Sequence, residues 1–240
     1  PTTTTNWTRR RSRLAEREVE IVVPHHVEGL QHHFSDLEQQ REASTMGMWV
    51  FLITEIMFFG GMFLAYLVYR RMYYQAWVVG SEAMDFWFGT VNTVILICSS
   101  LTMALAVRAS QLGHRRALVI LLIVTMVFGI GFMTVKGVEY HGHWLKHEFP
   151  GPSFHFEGPY EQQVEMFFSL YWAMTGFHTL HVLIGIIIIG FVAYFGWRGD
   201  YTPANHNTVE NVGLYWHFVD TVWIYLYPLL YLISHSHPFK

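Results

Sequence analysis

One stretch of the chain reads Trp49-Val50-Phe51-Leu52-Ile53-Thr54-Glu55-Ile56-Met57-Phe58-Phe59-Gly60-Gly61-Met62-Phe63-Leu64. Its only charged residue is Glu55, and it lies within a run long enough to cross a bilayer as a helix. A carboxylate at that depth is costly unless it is paired, hydrogen-bonded or protonated. Two interpretations of Glu55 therefore stay open: a carboxyl sealed by hydrogen bonds between helices, or a group that exchanges protons.

The composition is typical of a membrane protein. Of the 240 residues, 52% are hydrophobic and only 14% are charged, against roughly 25% charged residues in an average soluble domain. Long uncharged runs separate the charged residues, which indicates a chain that crosses the membrane several times. The net charge of −3 gives no reason to expect a nucleic-acid partner, and the single cysteine, Cys98, excludes an internal disulfide.

Apolar runs of sufficient length predict an all-α fold, a bundle of five transmembrane helices. Only helices and closed barrels satisfy their backbone hydrogen bonds in lipid, and runs this long are typical of helices. The predicted transmembrane domain covers residues 46–240, after a polar N-terminal arm at 1–45 that holds a short helix around 12–21. The predicted spans are 46–69, 86–107, 117–138, 166–197 and 212–234.

The distribution of Lys and Arg predicts the orientation of the bundle. Ten of these residues lie on the side that holds the arm and five on the other side, where Lys136 is counted as an outer charge. Because Lys and Arg favour the cytoplasmic side, the arm and the N-terminus are predicted inside and the C-terminus outside.

A pair of histidines, His178 and His181, lies three positions apart in the fourth predicted span, so both rings are expected on one face of the helix. Paired histidines in a membrane helix are candidate ligands for haem, copper or iron. Metal sites need further ligands, however, and hydrogen-bonded packing of the two rings is the expectation we prefer.

Other polar residues of the spans are predicted to form a structural network. His217 and Asp220 are also three positions apart, and pairing would reduce the cost of burying each of them. Glu139 ends the third span, where a charged side chain is expected to extend toward the lipid headgroups.

The N-terminal arm carries four histidines, His25, His26, His32 and His33. Histidines clustered near a membrane surface can collect protons close to neutral pH, and they can equally be solvated surface residues.

Several of these stretches, in this order along the chain, resemble subunit III of the haem-copper respiratory oxidases. The matching residues are Gly47-Met48-Trp49-Val50-Phe51-Leu52-Ile53-Thr54-Glu55-Ile56-Met57-Phe58-Phe59-Gly60, Asn92-Thr93 with Ser99-Ser100, Gly137-Val138-Glu139-Tyr140, Gly176-Phe177-His178 with His181-Val182, and Tyr215-Trp216-His217-Phe218-Val219-Asp220 with Val222-Trp223. The chain lacks the first two helices of the long form, and its predicted five helices resemble the short bacterial form.

The resemblance implies a non-catalytic subunit of the bacterial cytoplasmic membrane, in a complex that reduces O2 to water and pumps protons. It implies no cofactor on this chain, haem and copper in subunit I as the direct partner, further contacts with subunit II and other subunits, and bound phospholipid. Subunit III of this family is thought to support proton uptake and the stability of the catalytic subunit. Glu55 matches the family's carbodiimide-reactive glutamate, and that reactivity needs a protonated carboxyl in apolar surroundings.

Alternative functions remain at this point. An accessory subunit of a nitric oxide reductase would share these motifs. A metal-dependent membrane enzyme would use His178 and His181 as ligands, and a proton channel or transporter would use Glu55.

Overall fold

The computed structural model describes residues 36–152, 154–156, 158–199, 201 and 206–233. The chain divides into two compact units, residues 1–43 and residues 44–240. The helix bundle described below belongs to the second unit. The four arm histidines and the short helix expected around 12–21 lie outside the described residues. The described parts contain six helices and no strand: α1 Leu37–Met72, α2 Tyr74–Glu82, α3 Phe86–Gln111, α4 Arg115–Leu145, α5 Glu161–Arg198 and α6 Asn207–Tyr231.

The all-α prediction is confirmed, and four helices are long and apolar enough to cross a membrane. They are α1, α3, α4 and α5. Among the described residues α6 is the remaining long helix, and its Tyr, Trp, His and Asp residues lower its hydropathy. Those residues are mostly buried against other helices, so α6 presents less of its surface to its surroundings than α1 does.

The helices are longer than the apolar runs that predicted them. α1 begins at Leu37, nine residues before the predicted start at residue 46. α4 continues to Leu145, so the connection between the third and fourth spans, predicted at 139–165, is shortened to 146–160. Outside the hydrocarbon core a helix does not need apolar residues, because its backbone hydrogen bonds stabilise further turns.

Helix α2 was not predicted, because nine residues are too few to span a membrane or to show a clear helical period. It packs against α5 through Gly80, where an added Cβ atom would lie 2.6 Å from the Phe167 ring. Ser81 of α2 donates a hydrogen bond to the carbonyl oxygen of Leu230 at 2.9 Å, which ties this short helix to the end of α6.

The core is built around Trp216 of α6, which is fully buried. Its indole lies against Gly129 of α4 and Gly185 of α5, where an added Cβ atom would approach the ring to 3.0 and 2.8 Å. Its Nε1 donates a hydrogen bond to Ser99 Oγ of α3 at 3.1 Å. Trp216 of α6 therefore contacts α3, α4 and α5 at once.

Helix α1 is attached to this core by large side chains. The Tyr66 hydroxyl donates a hydrogen bond to the Leu229 carbonyl oxygen, and the Phe59 ring meets the Phe218 ring at 6.2 Å. A smaller share of the apolar part of α1 is buried than of the other three spans. α1 therefore offers the largest exposed apolar surface of the spans.

Candidate functional site

Glu55 and His181 meet near the middle of α1 and α5. Glu55 Oε2 lies 3.1 Å from His181 Nε2, and His181 Nδ1 lies 2.7 Å from the carbonyl oxygen of Phe177. A carbonyl oxygen only accepts, so Nδ1 must carry a proton. The contact at Nε2 therefore holds one further proton, either on the carboxyl of a neutral pair or on the imidazole of an ion pair.

Aromatic groups surround this carboxyl–imidazole contact. The Phe59 ring meets the His181 ring at 5.3 Å, close to edge-on, and the Tyr215 hydroxyl donates a hydrogen bond to the His181 carbonyl oxygen at 2.9 Å. The side chains of His181 and Glu55 are 14% and 19% exposed. The surroundings of the contact are therefore mainly aromatic, and a small part of each side chain is still exposed at the surface of the bundle.

His178 lies one turn earlier on α5 in a different environment. It is fully buried, its ring packs against Phe132 and Trp223 at 5.5 and 5.1 Å, and neither ring nitrogen has a hydrogen-bond partner among the described residues. His178 and His181 therefore do not act as one pair. Within the described parts of the chain, no group of three or more His, Cys, Asp or Glu side chains is placed to hold a metal ion.

His217 and Asp220 do not form the predicted pair. His217 Nδ1 contacts Ser100 Oγ of α3 at 2.8 Å, while Asp220 is buried and has the Ser100 hydroxyl as its neighbour. The expectation failed because Ser100, on the facing helix α3, offers its hydroxyl to the imidazole.

Glu139 does not extend toward the headgroups, which corrects the expectation for this residue. It is 3% exposed and Lys136 is 0% exposed, with Lys136 Nζ 3.0 Å from Glu139 Oε2. Lys136 was counted as an outer-loop charge, and its burial removes it from that count without reversing the Lys and Arg bias.

Two tyrosines complete the buried ion pair. Lys136 donates to the Tyr231 hydroxyl at 2.7 Å and to the Tyr171 hydroxyl at 3.2 Å, and those hydroxyls donate to Glu139 Oε1 at 2.5 and 2.7 Å. The Lys136 ammonium also lies 5.2 Å from the centre of the Trp223 ring. This four-residue network, Lys136, Glu139, Tyr171 and Tyr231, satisfies both charges and joins α4, α5 and α6.

A second buried pair lies at the end of α4. His143 Nδ1 is 2.5 Å from Glu148 Oε2, and both side chains are less than one-tenth exposed. The Glu148 carbonyl oxygen accepts a hydrogen bond from Trp172 Nε1 at 3.3 Å. The continuation of α4 to Leu145 places His143 against Phe168 and Tyr171 of α5.

Comparison with known proteins gives the family. Residues 28–235 match the family described as Cytochrome c oxidase subunit III. A cytochrome c oxidase subunit 3 of Thermostichus vulcanus is 34% identical over 190 residues, 79% of this chain and 87% of the relative. Another from Synechocystis sp. is 35% identical over 78% of this chain and 74% of the relative.

A third relative carries a different substrate in its name. The cytochrome bo(3) ubiquinol oxidase subunit 3 of Pseudomonas putida is 29% identical over 80% of this chain and 87% of the relative. The chain belongs to the cytochrome c oxidase subunit III family, as a multi-pass subunit of a haem-copper oxidase in the bacterial cytoplasmic membrane.

Proposed function

We propose that this chain supports proton uptake by the catalytic subunit of a proton-pumping oxidase and stabilises that subunit in the membrane. The observation that carries the proposal is the Glu55–His181 contact. It holds one titratable proton between two side chains near the middle of their helices. A group of this kind can take up or release a proton with little movement, because donor and acceptor are already in hydrogen-bond contact.

The proposed topology has five spans, with α6 as the fifth, the N-terminus inside and the C-terminus outside. α6 has 25 residues, about 37 Å at 1.5 Å per residue, which exceeds a hydrocarbon core of roughly 30 Å. Its partners α3 and α5 are themselves candidate spans. The bias of Lys and Arg toward one side supports the orientation.

The proposed direct partner is the large subunit, subunit I, which would carry the haem and copper, with subunit II and other subunits in the same complex. The chain itself supplies packing surface and the titratable pair rather than a redox site. Phospholipid is the expected neighbour of the exposed apolar residues of α1.

The four arm histidines, His25, His26, His32 and His33, are proposed to collect protons at the inner surface. They belong to the predicted cytoplasmic arm, where histidine titrates close to physiological pH. Replacing all four with Gln should lower steady-state turnover of the complex at high pH, and unchanged turnover would contradict this role.

The test of the Glu55–His181 role is turnover of the native complex. Glu55→Gln keeps the shape of the side chain but removes the titratable proton, so O2 reduction should fall most at high pH, where proton supply limits the rate. Glu82→Gln, at an exposed position of α2, is the matched control and should leave turnover unchanged. An assembled Glu55→Gln complex with native turnover across the pH range would contradict the proposal.

A further inference from the structure

Tyr215 of α6 contacts both of the helices that carry Glu55 and His181. Its hydroxyl donates a hydrogen bond to the His181 carbonyl oxygen of α5 at 2.9 Å. The centres of its ring and of the Phe51 ring of α1 are 6.1 Å apart, and Phe51 is one helical turn before Glu55. Because Tyr215 is only 5% exposed, a single buried side chain joins α1 to α5 beside the carboxyl–imidazole contact.

A glycine lets Tyr215 approach α5 closely. Gly185 is one turn after His181, and a Cβ atom at this position would lie 3.2 Å from the Tyr215 ring. Within an α-helix the carbonyl oxygen of residue 181 accepts a hydrogen bond from the backbone N–H of residue 185. The Tyr215 hydroxyl is therefore a second donor to this oxygen, which has two lone pairs, and it comes from another helix.

A second contact between α6 and α1 lies on the other side of Glu55. The Phe218 ring of α6 meets the Phe59 ring of α1 at 6.2 Å, and Phe59 is one turn after Glu55. Phe51 and Phe59 therefore bracket the carboxyl along α1, and both pack against α6. Tyr215 adds a hydrogen bond to α5, and a hydrogen bond restricts distance and angle more closely than ring packing does.

We propose that Tyr215 is a positioning residue of this site, and that its hydroxyl holds α5 at the distance from α1 at which His181 Nε2 meets the Glu55 carboxyl. The inference rests on the proposed role of this contact in proton uptake. The contact is 3.1 Å long, close to the upper limit of about 3.2 Å for such hydrogen bonds. A small outward shift of α5 would therefore break it. The hydroxyl proton of Tyr215 is directed at a carbonyl oxygen, so Tyr215 acts through His181.

The test is carbodiimide labelling of Glu55 in the native complex, measured by mass spectrometry of the α1 peptide. The variant is Tyr215→Phe, which keeps the ring against Phe51 and removes the hydroxyl that is bonded to α5. We expect labelling to change in the same direction as in His181→Phe, because the carboxyl loses its imidazole partner in both variants. The change should be about fivefold, the effect of losing one ordinary hydrogen bond.

Tyr225→Phe is the matched control for the loss of a tyrosine hydroxyl from α6. Tyr225 also packs against α1, with its ring 6.4 Å from the Phe63 ring, but Phe63 is two turns beyond Glu55 and Tyr225 is 62% exposed. Labelling of Glu55 should remain at the native level in this control. An equal change in Tyr225→Phe and Tyr215→Phe would overturn the proposal.

A double variant separates positioning from a general structural role. If Tyr215 acts through His181, Tyr215→Phe should change labelling in the native background but not in the His181→Phe background, where the contact is already lost. A hydroxyl that only stabilised the bundle would change labelling equally in both backgrounds. Equal changes in both, or native labelling in Tyr215→Phe, would overturn the proposal.

Failure of the proposed function gives a different result from failure of this inference. If an assembled Glu55→Gln complex keeps native turnover, the proposed function fails, whatever the labelling shows. If Glu55→Gln lowers turnover but Tyr215→Phe is labelled like the native chain, only the role of Tyr215 is wrong.

Discussion

Glu55 and His181 form a carboxyl–imidazole contact of 3.1 Å between α1 and α5, although they lie 126 residues apart in the chain. The hydrogen bond from His181 Nδ1 to the Phe177 carbonyl oxygen leaves only Nε2 free to exchange a proton with the carboxyl. The ring is held in one orientation, so the exchangeable proton lies between Nε2 and the Glu55 carboxyl.

Carbodiimide labelling tests where that proton resides. A protonated carboxyl gives its proton to a carbodiimide nitrogen and its oxygen then adds to the central carbon of the reagent, so Glu55 should be labelled in the native protein and Glu55→Gln should not. In His181→Phe the carboxyl has no imidazole to give its proton to. Labelling should then rise several-fold, as measured by mass spectrometry of the α1 peptide. Labelling that falls in His181→Phe would show that the imidazole is needed to keep the carboxyl protonated.

The Lys136–Glu139 ion pair should be sensitive to the loss of either partner. Lys136→Met leaves a buried carboxylate without its cation, and removing one partner of a buried pair typically costs about 3–5 kcal/mol. The double variant Lys136→Met, Glu139→Leu removes both charges and should recover a large part of that loss. Thermal unfolding of the detergent-solubilised chain measures both values. A double variant less stable than the single one would mean that the network contributes more than charge compensation.

The packing of Trp216 predicts which glycines tolerate a methyl group. Gly185→Ala places a Cβ atom 2.8 Å from the indole, and overpacking of this kind typically costs about 1–3 kcal/mol. Gly137→Ala on α4 meets nothing within 4 Å and serves as the matched control, with stability unchanged or slightly raised because alanine favours helix. Equal thermal midpoints for the two variants would argue against the tight Trp216 contact.

The single cysteine makes the proposed topology directly testable. With Cys98 replaced by Ser as background, a cysteine at Lys146 should react with a membrane-impermeant maleimide added outside intact cells. A cysteine at Leu112 should react only after the membrane is opened, because the 112–114 connection is proposed to face the cytoplasm. Both residues are exposed. The reverse pattern would place the N-terminus outside.

The sequence predicted the helices better than the contacts between them. Glu55 could be placed inside a span because an uncharged run surrounds it, whereas its partner depends on which face of α5 packs toward α1. His217 and Asp220 illustrate the limit, since their spacing permits a pair but a hydroxyl on α3 offers His217 a better contact.

The buried network was harder to predict for a similar reason. Lys136 and Glu139 lie at the end of an apolar run, where charged residues usually reach the headgroups. Two tyrosine hydroxyls, from α5 and α6, make their burial possible. The spacing of three residues between a Lys and a Glu in an apolar segment was the available signal, and only the tertiary structure supplies the tyrosines.

The most direct test of the account is a reduced-minus-oxidised spectrum with metal analysis. It should be recorded on the tagged chain purified alone and on its gently solubilised native complex. We expect haem and copper signals in the complex, together with a large haem-copper subunit, and neither signal in the isolated chain. Stoichiometric haem or metal on the isolated chain, or a native complex without a haem-copper subunit, would contradict it.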